Sequence, residues 1–274
     1  MSKVWLITGT SRGLGRQLAE SVLAAGDRVV ATTRRAVKKE RQNDRLRTVA
    51  LDVTDPASAR AAVAAAIDAF GRLDVVVNNA GYADVASIED MPEDSFRAQI
   101  DANFFGVVNV TRAALPVLRA QGSGHIVQVS SVGGRVGSTG LGAYQSAKWA
   151  VGGFSEVLAK EVAPFGIKVT IAEPGAMRTD WAGASMSTHP ISAPYVPVIE
   201  PAVERLRAAD GNQSGDPAKI AQVLIDLVAH PEPPLHLLLG ADAYAVAQAQ
   251  AETLAKTDAA WRAVSESVTF VHDS

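Results

Sequence analysis

Short apolar runs rich in Val and Ile alternate along the chain with longer alanine-rich stretches whose apolar positions recur every three or four residues. The runs have the length and β-branched content of strands buried on both faces, and the stretches between them have the period of helices. Strands are predicted at 3–8, 28–33, 47–51, 73–78, 125–130, 168–173 and 235–239, and helices near 13–25, 57–70, 95–120, 143–163 and 217–230. Asp216 followed by Pro217 supplies a cap and a first-turn proline for the last of these. Such alternation predicts an α/β fold, a doubly wound parallel sheet of about seven strands with helices on both faces.

Two segments fall outside the alternation. From Pro174 to Gly215, prolines 190, 194, 197 and 201 and glycines 175, 183, 211 and 215 interrupt any long element, and so long a stretch in a compact domain is usually functional or mobile. It lies after the sixth predicted strand, at the carboxyl edge of the sheet, and carries Trp181, Met186, Tyr195, Val196 and Ile199. It reads as a substrate lid, too rich in Pro and Gly to be one rigid helix. Its apolar groups would close over an apolar or aromatic substrate, with Trp181 and Met186 in contact. The second segment, 241–268, is helical in pattern with Leu254, Trp261 and Val264 as anchors.

At 274 residues, with no repeat, charge block or low-complexity linker, the chain reads as a single domain over 1–274. A net charge of -3 with 20% charged residues gives no basic field for nucleic acid or an anionic membrane. Absence of cysteine excludes disulfides, thiolate metal sites and cysteine nucleophiles and is compatible with a reducing compartment. The five histidines show no paired metal spacing, so no metal is expected. With no cleavable leader and no run near the roughly 20 apolar residues of a membrane span, a soluble cytoplasmic protein is expected.

Chemistry enters at Thr8-Gly9-Thr10-Ser11-Arg12-Gly13-Leu14-Gly15, between the first strand and the first helix. Gly9, Gly13 and Gly15 let backbone N–H groups approach a pyrophosphate at the positive end of a helix, the Rossmann-type arrangement, with Ser11 and Leu14 in the same loop. An NAD site places an acidic residue at the end of the second strand; here Thr33 is followed by Arg34 and Arg35. Arg34, with Arg12, is suited to neutralise a 2'-phosphate, which favours NADP(H) over NAD(H).

Tyr144 and Lys148 stand at i and i+4 on one predicted helix and share a face, so the ammonium is expected to favour the phenolate and bring Tyr144 toward working pH as a general acid/base. Ser131 follows the fifth predicted strand at the carboxyl edge of the sheet, where its hydroxyl can bond the same substrate oxygen. Ser130 is its nearest rival, and the spacing favours Ser131.

Together these motifs resemble the short-chain dehydrogenase/reductase family, in its single-domain branch. The likeness runs over about residues 3–240: T-G-x-x-x-G-x-G at Thr8 to Gly15, N-N-A-G at Asn78 to Gly81, a serine thirteen before Y-x-x-x-K, and P-G at Pro174-Gly175. The resemblance implies an adenine contact at Asp52 with Val53 beside it, and further cofactor contacts at Asn79, Ala80, Gly81, Pro174, Gly175 and Thr179. It also implies that Lys148 grips the nicotinamide ribose and that Asn103 holds a water in a proton relay. The expected function is an NADP(H)-dependent carbonyl reductase or alcohol dehydrogenase, as a homo-oligomer, with Asn103, Ser131, Tyr144 and Lys148 as the catalytic set. A non-catalytic NADP(H)-binding regulator and a dehydratase or isomerase of the same family are the alternatives. Gln145 and Ser146 depart from the small residues usual in the Y-x-x-x-K spacer, and the helix after 240 departs from the minimal family member.

Overall fold

The structure is a computed structural model that describes residues 2–34, 43–181, 183 and 186–270. In chain order its elements are β1 (Val4–Ile7), α1 (Gly13–Ala24), β2 (Arg28–Thr33), β3 (Leu46–Ala50), α2 (Pro56–Phe70), β4 (Val75–Asn78), β5 (Asp84–Val85), α3 (Glu93–Ile100), α4 (Gly106–Gln121), β6 (Gly124–Val129), α5 (Gly142–Val162), β7 (Ile167–Pro174), β8 (Ser187–Thr188), α6 (Val196–Ala209), α7 (Pro217–Ala229), β9 (His236–Leu239) and α8 (Ala241–Ser267). Seven strands form one parallel sheet in the order β3-β2-β1-β4-β6-β7-β9, the doubly wound Rossmann-like arrangement expected.

The strands read as apolar runs because both faces are covered. Successive side chains point to opposite faces, so Trp5 and Ile7 pack with Leu14, Leu18 and Val22 of α1 and Ile220 and Leu224 of α7. Val4 and Leu6 pack on the other side with Ala62 and Ala66 of α2, Val110 and Leu118 of α4 and Leu158 of α5. Asp55 and Asp216 cap α2 and α7, each accepting two backbone N–H bonds with a proline at the first helical position.

Three expectations are corrected. The helix read across 95–120 is broken by a π-helical turn, Asp101–Phe105, between α3 and α4. There the Asn103 amide donates to the Gln99 carbonyl at 2.8 Å, the acceptor that an unbroken α-helix gives to the Asn103 backbone N–H. Inside the segment where Pro and Gly were expected to interrupt any long element lies α6, a helix of 14 residues, although the segment as a whole is not one helix. Pro197 sits in its first turn, where a missing N–H costs little, and Ile199, Ala202 and Val203 form its buried stripe. The supposed anchors of α8 are not buried: Leu254, Trp261 and Val264 are 50%, 62% and 55% exposed.

His125, at the head of β6, is buried with its Nε2 at 3.0 Å from the Thr170 hydroxyl. Burial, reinforced by the charges of Lys168 and Lys3, pushes its imidazole down to about 4. The unfolded chain takes up this proton near 6.5 and the folded one only near 4, so in that window the unfolded state holds more protons and stability falls on acidification. The expected contribution is about 3 kcal/mol over the full window. Urea unfolding of the parent and of His125→Gln at stepped pH should show a shallower slope in the variant between pH 6.5 and 4; equal slopes would remove His125 from this role.

Candidate functional site

The order of the sheet reverses between β1 and β4, and the crevice lies at the carboxyl ends of these strands. The Thr8 hydroxyl closes its floor: it donates to the Val77 carbonyl at 3.3 Å and accepts from the backbone N–H groups of Asn79 and Ala80, both at 2.9 Å. The Asn79 amide returns to the Thr8 carbonyl at 2.9 Å. Gly9 has φ 71°, and a Cβ there would meet the Ala80 Cα at 2.9 Å, so no side chain fits between the two loops. The helix that follows, α1, has Arg12 as its N-cap with no side-chain cap bond, in contrast to α2 and α7, which Asp55 and Asp216 cap, and its first turn carries no acidic residue. Its first N–H groups are therefore left for a ligand, at the end of the helix that favours an anion.

From this point a cleft of about 540 Å³ runs across the carboxyl edge. At one end it is lined by Gly9, Ser11, Arg12, Gly13, Leu14, Thr33, Arg34, Asp52 and Val53. Arg12 and Arg34 are exposed; Arg35 lies outside the described residues. The Asp52 carboxyl is held below its ordinary range by hydrogen bonds from the Thr54 hydroxyl at 2.7 Å and backbone N–H at 2.9 Å, with a smaller contribution from the Arg34 charge.

The lining continues through Ala80 and Thr179, which stand against Gly9 and Gly13, with Asn79, Gly81, Pro174 and Gly175, to Asn103, Ser131, Tyr144, Lys148 and Trp181 at the other end. Ser131 caps a 3-10 turn, its hydroxyl oxygen accepting the Gly133 N–H at 3.0 Å, which leaves the hydroxyl proton free to bond Tyr144. Ser130 is turned the other way, donating to the Lys148 carbonyl at 3.3 Å. Lys148 is buried, donates to the Val129 carbonyl at 2.8 Å and lies 5.6 Å from the centre of the Tyr144 ring. The Asn103 amide donates to the Tyr82 carbonyl at 2.9 Å and accepts the Tyr82 N–H at 3.1 Å, which ties the segment after Gly81 to the π-turn. A Cβ at Gly81 would meet the Asn103 Oδ1.

Electrostatics here run against the expectation of a lowered phenol. Burial pushes Tyr144 up to about 12, opposed by the bond from Ser131, and burial pushes Lys148 down to about 8. The Tyr144 ring is enclosed by Ala83, Val85, Leu141, Ile199 and Val203, with the Trp181 ring 5.1 Å away. In this apolar setting the cost of ionising the phenol outweighs the attraction of an ammonium that sits over the ring and is bonded to a carbonyl.

Two residues assigned to the site do not line the cleft. Gly15 is buried behind it, where a Cβ would meet the Asn79 Nδ2 and the Gly9 carbonyl oxygen; its role is close packing. Met186 packs into the apolar cluster around Tyr144. The cleft also takes in residues that the sequence did not single out, including Leu206 and Ala209 of α6 and Gln213 beyond it. The 3-4 spacing of Ile199, Ala202, Val203 and Leu206 was the signal for them. Gln213 is 5% exposed, and neither polar atom of its amide has a partner among the described residues. An unpaired buried amide on the cleft wall, an uncapped helix N-terminus and glycines with no room for a Cβ fit a polar dinucleotide.

Residues 3–189 match the short chain dehydrogenase family. The chain is 51% identical over 270 residues to Oxidoreductase BOA17 of Botryotinia fuckeliana, covering 97% of this chain and 98% of that protein. It superposes with a TM-score of 0.90 and 37% identity on a short-chain dehydrogenase from Streptomyces avermitilis, covering 98% of this chain and 99% of that one. A short chain dehydrogenase/reductase from Burkholderia phymatum, solved in complex with NAD, shares the fold at a TM-score of 0.82 and 22% identity, over 93% of this chain and 95% of that one. The chain belongs to the short chain dehydrogenase family, oxidoreductases whose fold binds NAD(P).

Proposed function

We propose that this oxidoreductase is NADP(H)-dependent and moves a hydride between nicotinamide and a carbonyl or alcohol, with Tyr144 as general acid/base. The observation that carries the reading is the meeting of Ser131, Tyr144 and Lys148 at one end of a cleft whose other end presents Arg12 and Arg34. In this reading 1–274 is one dinucleotide-binding and catalytic domain, with 174–215 as its lid and 241–268 as an extension. The bound cofactor supplies the hydride. Tyr144, kept protonated by burial, gives its proton to the carbonyl oxygen, and the resulting phenolate is held by Ser131 and by the charge of Lys148 until water restores the proton. Asn103 has its amide committed to Tyr82 and Gln99 and acts as a positioning residue for the segment after Gly81.

The proposed 2'-phosphate contacts are Arg34 and Arg12, with Thr33 in place of an acidic ribose clamp. NADPH is expected to exceed NADH in kcat/KM, and Arg34→Ala to weaken NADPH far more than NADH. Equal or reversed efficiency with the two cofactors would sink the assignment.

Tyr144→Phe is expected to lower turnover by about 10² to 10⁴ with NADPH affinity nearly intact. The charged form of Lys148 is lost as pH rises through about 8, so carbonyl reduction should decline above that pH in the parent. A variant within tenfold of the parent's rate, or a reduction rate flat to pH 10, would remove the corresponding residue from its role.

For the substrate we propose an apolar or aromatic carbonyl compound or alcohol, received between Tyr144, Trp181 and Leu206 under the lid. The lid is fastened to the 84–95 segment by the β5–β8 pair, by the Tyr195 hydroxyl donating to Glu89 at 2.7 Å and by the Ser192 N–H donating to Asp90 at 3.2 Å. Hydrogen exchange with and without NADPH and a reactive ketone should show added protection across 176–214; unchanged protection despite measured binding would reject the lid.

A further inference from the structure

Among the described residues, helix α8 meets the body of the molecule through its first turns only. Ala243 and Ala247 are buried, and the Asp242 carboxylate accepts the Ala176 N–H at 2.8 Å. From 251 to 267 every residue is exposed. The face that docks does not end where the body ends. Positions 243, 247, 250, 254, 257, 261, 264 and 268 follow one another by alternating steps of four and three, and they hold Ala243, Ala247, Gln250, Leu254, Thr257, Trp261, Val264 and Val268. This is the 3.5-residue repeat of a seam that takes another helix. Its docked half carries alanines; its free half carries Leu254, Trp261, Val264 and Val268, each 50% or more exposed. A helical stretch of this length with no tertiary contact is marginal in water, since most helix stability comes from packing an apolar face.

We propose that the free half of α8 pairs with the same helix of a second copy of this chain. The residues flanking the seam say which partner fits. They are Ala251, Asp258 and Ser265 on one side and Thr253, Ala260 and Ser267 on the other, all small but for one aspartate. Asp258 apart, the flanks carry no charge that would repel an identical helix or select a foreign one, and small flanks let two helix axes come close around Trp261. The remaining charges, Glu252, Lys256, Arg262 and Glu266, are balanced in sign and lie off the seam, with Arg262 already paired to Glu266 at 2.6 Å. Two copies meet there with little like-charge repulsion. None of this depends on the cofactor, the substrate or the roles of Tyr144 and Lys148.

Light scattering on the purified full-length chain, at tens of micromolar, tests the pairing. The parent should be a dimer or a multiple of one. The doubly substituted Leu254→Glu/Trp261→Glu should have half the parent's mass, and Ala259→Glu, off the seam, the parent's mass. A monomeric parent, which would point to a different partner for the seam, overturns the proposal, and so does a seam variant of unchanged mass. Should the seam variant fail to fold, hydrogen exchange on the parent decides. Residues 251–267 should be protected at high concentration and lose protection on dilution; fast exchange at every concentration rejects the pairing.

Discussion

The crevice rests on the approach of two loops that leave adjacent strands and must come within van der Waals contact. Gly9 lies against the Ala80 backbone because neither loop has a side chain in the way, and the Thr8 hydroxyl satisfies two N–H groups of the opposite loop while donating to the strand beside it. Buried backbone groups at a sheet edge need such partners. One hydroxyl serving three groups lets the two loops turn away from the sheet without orphaned amides. The first turn of α1 can then point into the space between them.

The opposite end of the cleft is organised by burial. Tyr144 and Lys148 share a helix face, but the apolar cluster around the phenol raises the cost of ionising it and the same enclosure lowers the ammonium. Reasoning from charge alone gives the wrong direction for Tyr144, because it treats the pair as though it sat in water. Desolvation is set by Trp181 and Ile199 among others, and both come from the segment after β7, distant in sequence from the tyrosine.

This difference marks what was legible in the chain. The five inner strands of the sheet could be read because they are buried on both faces, the half-buried edge strands β3 and β9 by their place in the alternation, and the glycine loop because its spacing has few uses other than a close turn before a helix. Most of the cleft lining followed from position at the carboxyl edge. Helix α6 was hidden by Pro197 and Pro201, which read as breakers; Pro197 lies in the first turn and sacrifices no intrahelical bond, while Pro201 lies inside the helix, which continues past the one bond it lacks. The π-turn at Asn103 arises from a side chain competing for a carbonyl, which no periodicity records. Met186 was placed by hydrophobicity alone, and packing turned it into the cluster instead of the cleft.

The strand order also has a consequence for assembly on the ribosome. Both neighbours of β1, namely β2 and β4, belong to the first 78 residues. The Thr8 bridge and the Gly9 contact need nothing beyond Ala80. On a chain emerging from its N-terminus, the glycine-rich half of the crevice can close before Ser131, Tyr144 and Lys148 have been synthesised. The phenol then meets a template already in place, and the last-made strand, β9, finishes the sheet at the edge farthest from β3.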